Sequence, residues 1–270
     1  MRAALLFAMF LHANAQVANV MLQPSDRLVP QSVYAAQIQP IKAGANIAAF
    51  VAQQAALGGP VILWLGDRHD PAAVVQRYPA IIAEARKHQN IKHVYLYDEL
   101  FWHNGTFAFG LHEREVLEGA RLARQAGLQP LVTILPDVIL HPTFALDVNA
   151  FDGIAIDVYP SIRPTVPDLG GCRSGINATA DLFYCAAQKL RAMGFVGQLG
   201  YIYQAFGLAH QSESSLKHQL LEQRAAIDAA ADMGASAVMP WGMWLGADEL
   251  AAEPYLVPLG GTKLERLVRP

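Results

Sequence analysis

The stretch Val94-Tyr95-Leu96-Tyr97-Asp98-Glu99 decides the reading of the fold. An uninterrupted apolar and aromatic run has no polar face to turn to water, so as a strand it is buried on both sides, which is the condition of a parallel sheet. The acidic pair then falls at the C-terminal end of the strand, where parallel α/β folds carry their ligands.

Working outward, the same unit recurs. Val61 to Leu65 opens onto Gly66, Asp67, Arg68 and His69; Leu131 to Leu135 onto Pro136 and Asp137; Ile154 to Ile156 onto Asp157, Val158, Tyr159 and Pro160. Further on, Leu199 to Tyr203 leads into Gln204, Ala205 and Phe206, and Ala237 to Met239 into Pro240, Trp241, Gly242, Met243 and Trp244. Between the runs, Ile47 to Ala56, Ala72 to Lys87, His112 to Gln125, Ala178 to Met193 and Leu216 to Met233 place apolar residues at three- and four-residue intervals, which predicts amphipathic helices. Ala126-Gly127, Met193-Gly194 and Met233-Gly234 supply a helix stop just before the next strand. Two weaker runs, Val17 to Leu22 and Ser32 to Ile38, bring the strands to the number a (β/α)8 TIM barrel needs. No GxGxxG turn follows any strand, which argues against an open dinucleotide-binding sheet. Leu140 to Ala150, with His141-Pro142, is expected as loop.

The chain has 270 residues, 53% hydrophobic and 16% charged, with a net charge of −3. That suits one large core and one domain, residues 16–270, and gives no basic footprint for nucleic acid. At the N-terminus, Arg2, the apolar stretch Ala3 to Leu11, and Ala13-Asn14-Ala15 have the order of an export signal cleaved near Ala15. A secreted or periplasmic protein is therefore expected; the stretch is too short to span a bilayer, and no membrane association is expected. In an oxidising compartment the two cysteines, Cys172 and Cys185, are expected to form a disulfide, with two buried thiols as the alternative. Two thiols without a nearby histidine do not complete a zinc site, and no HxH or HExxH spacing accompanies His69 or His103, so no metal or cofactor is expected. Neither a Gly-x-Ser-x-Gly elbow nor a phosphate-binding loop is present.

Numbering the strands in order puts Asp98 and Glu99 at the end of the fourth, Asp157 and Tyr159 at the sixth, Gln204 at the seventh, and Trp241 and Trp244 at the eighth. On the stretches Tyr95 to Glu99, Phe151 to Pro160, Tyr201 to Gly207 and Val238 to Trp244 the chain resembles the TIM-barrel glycoside hydrolase superfamily. In that superfamily strand four ends in Asn-Glu with Glu as acid/base, strand six in a Tyr-Pro element, strand seven in a nucleophilic Glu and strand eight in a Trp platform. The resemblance implies cleavage of a polysaccharide or oligosaccharide by a monomeric enzyme. One departure is chemical: strand seven offers Gln204, and an amide is neither nucleophile nor base. Phe151 to Asp157 is similar to the Asp-Gly strand of chitinase-like barrels but lacks their terminal Glu.

Glycoside cleavage uses one carboxyl group that donates a proton and a second that is ionised. Glu99 is the acid candidate and Asp157 its partner, with Asp98 as a further catalytic candidate. Adjacent strand residues face opposite sides, so Asp98 and Glu99 are not both expected to enter the barrel mouth unless the strand has broken. Each has a structural alternative: capping a helix, or pairing with an arginine such as Arg68 or Arg163. Asp67 and Asp137 are weaker candidates, since Asp beside glycine or proline often only forms a turn. Tyr159, Tyr203 and Gln204 suit hydrogen bonds to sugar hydroxyls, while Trp64, Trp102, Trp241 and Trp244 could stack on a pyranose ring or simply fill the core. A carboxyl separation of about 5 to 5.5 Å would fit a retaining pair and about 6.5 to 9.5 Å an inverting one. The alternative function is a barrel that binds carbohydrate without cleaving it.

Overall fold

The structure, a computed structural model, describes residues 20–22, 36–40, 46–56, 61–65, 75–103, 105–158, 178–204 and 235–241. Eight parallel strands close into a barrel: β1 (Val20–Leu22), β2 (Ala36–Pro40), β3 (Val61–Trp64), β4 (Ile91–Tyr97), β5 (Gln129–Ile134), β6 (Gly153–Val158), β7 (Gln198–Gln204) and β8 (Ala235–Trp241). Each strand pairs with its neighbours in chain order, and β1 closes the ring on β8 through Leu22 opposite Trp241. The helices described are α1 (Ile47–Ala55), α2 (Tyr78–Ala85), α3 (Glu113–Gln125), the short α4 (Pro136–Leu140) and α5 (Ala178–Ala192). The expected TIM barrel is therefore the fold. The expected signal segment and the helix expected over Leu216 to Met233 lie outside the described residues.

Strand alternation sorts the buried residues into two sets. Leu63, Val94, Val132, Ile154, Ile156 and Tyr201 join one apolar cluster with Val51, Ile81, Val116, Ala120 and Phe183 of the surrounding helices. Alternate residues, Ile62, Trp64, Tyr95, Thr133, Ala155, Asp157 and Ile202, are equally buried on the opposite face, the inside of the barrel. Toward the C-terminal ends of β4, β5 and β6, the polar side chains of Tyr95, Thr133 and Asp157 enter the interior.

The helix ends show why the sequence turns back into the sheet where it does. After α3 the Gly127 N–H donates to Arg124 O and the Leu128 N–H to Ala123 O, with Gly127 at φ 77°. After α5 the pattern repeats, Gly194 N–H to Arg191 O and Phe195 N–H to Leu190 O, with Gly194 at φ 89°. Both are Schellman closures, in which glycine takes the left-handed conformation without a Cβ penalty and the next apolar residue is buried. Leu128 and Phe195 fill that apolar position. At the other end of α1 the Asn46 side chain accepts from the Ala49 N–H at 3.1 Å, satisfying one of the first-turn donors.

Sequence boundaries and observed ones differ modestly. Of the first two apolar runs, the described residues show strand at Val20–Leu22 and from Ala36, and the remainder of each run lies outside the described residues. Of the stretch expected as loop, Leu140 is the last residue of α4, and His141 to Ala150 is loop apart from a 3-10 turn, Val148–Ala150, which Asp147 caps by accepting from the Asn149 N–H.

Candidate active site

The site begins with an irregularity in β4. Tyr95 pairs with Leu131 of β5, yet Tyr97, two residues on, pairs with Val132, so Leu96 is an extra residue and β4 bulges there. A bulge breaks the alternation of side chains and re-aims the residues beyond it. Leu96 and Tyr97 both join the outer, helix-facing cluster, while Asp98 is buried and in contact with Tyr95 of the inner face. The bulge is supported from outside: the Tyr78 hydroxyl of α2 donates to the Leu96 carbonyl. Tyr78 in turn lies against Gly119 of α3, where an added Cβ would stand 2.6 Å from the ring. Burial pushes the Tyr78 phenol well above its ordinary pKa, so it remains a donor.

Inside the barrel the Tyr95 hydroxyl donates to Asp98 Oδ1 at 2.6 Å and shares a further hydrogen bond with the Thr133 hydroxyl. Tyr95 and Thr133 are fully enclosed, and Asp98 and Asp157 are 5% and 2% exposed. Burial raises the Tyr95 pKa well above the ordinary phenol value; the Asp98 charge adds to this, and so, more weakly, does that of Asp157. The two carboxyl groups therefore share one buried region across β4, β5 and β6. The Trp64 indole closes the group on the β3 side, edge to face with Tyr95 at 5.4 Å between centroids.

Glu99 lies at a different depth. β4 has ended at Tyr97, so the expectation that Asp98 and Glu99 face opposite sides of a strand does not apply. Glu99 is half-buried with φ 51°, and Phe101 has φ 70°. Both occupy the left-handed region, uncommon for residues with a Cβ and costing on the order of 1–3 kcal/mol each. The turn is held by Leu100 N–H to Thr133 O at 2.9 Å and Trp102 N–H to Glu99 O at 2.9 Å. A two-stranded hairpin, Trp102–His103 with Thr106–Phe107, then projects from the mouth. Its rings gather with those of the loop after α4: Trp102 meets Phe107 edge-on at 5.2 Å, Phe107 stacks on Phe109 at 5.8 Å, and His141 lies 4.8 Å from Phe107 and 4.9 Å from Phe109. Phe107 is 44% exposed, the most open ring of this group.

Asp137, half-buried, sits in the first turn of α4. Trp64 is buried inside the barrel and Trp102 half-buried in the hairpin. The backbone places Tyr203 opposite Val158 of β6, and Gln204 opposite Trp241 of β8. Asp67, Tyr159, Trp244 and Cys172 lie outside the described residues; Cys185 is half-buried on α5. Sequence reasoning missed Tyr95 and Thr133, which the structure joins to Asp98. Their signal was faint: a threonine inside an apolar run, and a tyrosine three residues before the acid. Among the described residues no group of three or more His, Cys, Asp or Glu could hold a metal ion, and no helix is long and apolar enough to cross a membrane.

No protein-family model matches the sequence, and no curated protein matches it. Similarity appears at the level of structure. A GH5-4 broad-specificity endoglucanase from Bacteroides salanitronis superposes with a TM-score of 0.57 at 11% identity, over 95% of this chain and 94% of that one. An exo-β-1,4-mannosidase from Opitutaceae bacterium strain TAV5 gives 0.55 at 13% identity, over 87% of this chain and 54% of that one. A β-glucuronidase from Ruminococcus gnavus, in complex with D-glucuronic acid, gives 0.51 at 11% identity, over 87% of this chain and 38% of that one. The chain thus spans about half or less of the mannosidase and glucuronidase and nearly all of the endoglucanase. What it shares with them is the (β/α)8 barrel.

Proposed function

We propose that the protein is a glycoside hydrolase that cleaves a polysaccharide at the C-terminal mouth of its barrel, with Glu99 as proton donor and Asp157 as the ionised partner. The observation that carries this reading is the end of β4. There a bulge and a left-handed turn present two successive carboxylates, Asp98 inside the barrel and Glu99 half-buried beyond it, in a fold shared with an endoglucanase, a mannosidase and a glucuronidase. A carboxyl group that donates a proton and one that stays ionised are the two parts such chemistry needs, and different environments allow neighbouring acids to divide those tasks. Gln204, next to Trp241 at the β7 and β8 ends, is assigned to sugar binding with Asp67, Asp137, Tyr159, Tyr203, Trp64, Trp102 and Trp244. Export with cleavage near Ala15, a Cys172–Cys185 bridge and a monomeric state complete the proposal.

The test is release of reducing ends from carboxymethylcellulose, mannan and chitin, first by the parent protein and then by variants. Glu99→Gln keeps the volume and removes the transferable proton, so turnover should fall roughly 10²-fold or more. Asp157→Asn should be as damaging, while Gln204→Ala should chiefly raise KM, since a neutral hydrogen bond contributes only about 0.5–1.5 kcal/mol. Turnover lost in Gln204→Ala but kept in Asp157→Asn would move the second role to the amide. Binding of all three polysaccharides without cleavage of any would identify a carbohydrate-binding barrel instead.

A further inference from the structure

We infer that Tyr95 is a positioning residue that fixes Asp98 as the hydrogen-bond acceptor of the site and leaves proton donation to Glu99. The inference rests on the glycosidase reading above and deepens it. Tyr95 has one hydroxyl proton and two hydroxyl-bonded partners, the Asp98 carboxylate at 2.6 Å and the Thr133 hydroxyl. An ionised carboxylate only accepts, so the phenol proton goes to Asp98 and the Thr133 proton goes to the phenol oxygen. The result is a directed chain, Thr133 to Tyr95 to Asp98, in which each donor polarises the next.

Two features keep that chain fixed. The Tyr95 ring is enclosed inside the barrel and braced by Trp64, so its hydroxyl cannot swing to another partner. Burial, reinforced by the charges of Asp98 and Asp157, keeps the phenol protonated, so it donates at every working pH. A carboxylate held by such a bond is stabilised in its ionised form, which is the wrong form for a proton donor and the right one for orienting a substrate hydroxyl or amide. Glu99 is differently placed, half-buried on a turn beyond the end of β4 with φ 51°. The adjacent acids thus divide the chemistry: Asp98 is buried against Tyr95, and Glu99 is half-buried on the turn that follows.

The experiment is a double-mutant cycle on Tyr95→Phe and Asp98→Asn, with kcat and KM measured across pH on whichever of the three polysaccharides the parent cleaves. Tyr95→Phe keeps the ring and removes one bond to a charged group, so kcat should fall roughly tenfold to a hundredfold with KM little changed. The limb of the pH profile that belongs to the site carboxylates should shift. Because Tyr95 acts through Asp98, the double variant should be no worse than Asp98→Asn alone. Parental kcat and pH profile in Tyr95→Phe, or losses that simply multiply in the double variant, would overturn the inference. If Tyr95→Phe fails to fold, Thr133→Val interrupts the same chain one step earlier and must give a smaller change of the same kind. A parent that cleaves no polysaccharide defeats the glycosidase reading separately. The inference is then decided by carbon-13 NMR titration of the Asp98 carboxyl, which must move between the parent protein and Tyr95→Phe.

Discussion

The two ends of the barrel turn the chain by different means. Below the strands, where helices hand over to β5 and β7, the left-handed positions are occupied by Gly127 and Gly194, which adopt them without strain. At the mouth, between the end of β4 and the start of α3, Gly105 and Gly110 also take them, but so do Glu99, Phe101 and His112, each carrying a Cβ that disfavours the conformation. The lower turns serve connection, and glycine suffices. The upper turn must display side chains, so it accepts backbone strain offset by the hydrogen bonds of Leu100 and Trp102.

Substitutions can break or sharpen this contrast. The largest effect is expected from Glu99→Gly: turnover should fall by about 10²-fold or more because the acid is gone, yet the melting temperature should hold or rise as the turn is relieved. A clear drop in melting temperature would show that contacts of the Glu99 side chain, and not its chemistry, maintain the conformation. Gly119→Ala asks whether a glycine can matter for space alone. Its added methyl would stand 2.6 Å from Tyr78, so a loss of about 1–3 kcal/mol is expected in urea unfolding, and the displaced hydroxyl should also disturb the bulge at Leu96. Unchanged stability would mean that the Tyr78 ring yields without cost. Smallest are Gly127→Ala and Gly194→Ala, each expected to cost about 1 kcal/mol with catalytic constants untouched. Should either alter turnover, the lower turns would not be mere connections.

Much of the barrel was legible because its signals are local. Apolar runs, three- and four-residue periodicity and the pairs Ala126-Gly127 and Met193-Gly194 each state a conformation within a few residues. The end of β4 was legible only as a place. Its arrangement depends on Tyr78, distant in sequence, reaching the Leu96 carbonyl and on Thr133 of the next strand meeting Tyr95. No period-two reading of Val94 to Glu99 could contain either contact, and alternation ceases to apply at the Leu96 bulge and the end of β4 at Tyr97, the break that the sequence reading allows for. The hairpin from Trp102 to Phe107 escaped for a similar reason: its strands are two residues long and owe their form to ring packing.

Thr133 binds the site at two points, through its hydroxyl to Tyr95 and through its carbonyl to the Leu100 N–H. The Leu100 amide is thereby a reporter. Its proton exchanges with solvent only when the turn beyond β4 lifts from β5, an opening that also uncovers the turn carrying Glu99. Deuterium uptake at that single amide, compared with amides deep in β5, measures the free energy of opening the mouth apart from that of unfolding the barrel. A bound oligosaccharide that needs the turn closed would slow uptake at Leu100 while leaving the deeper amides unchanged.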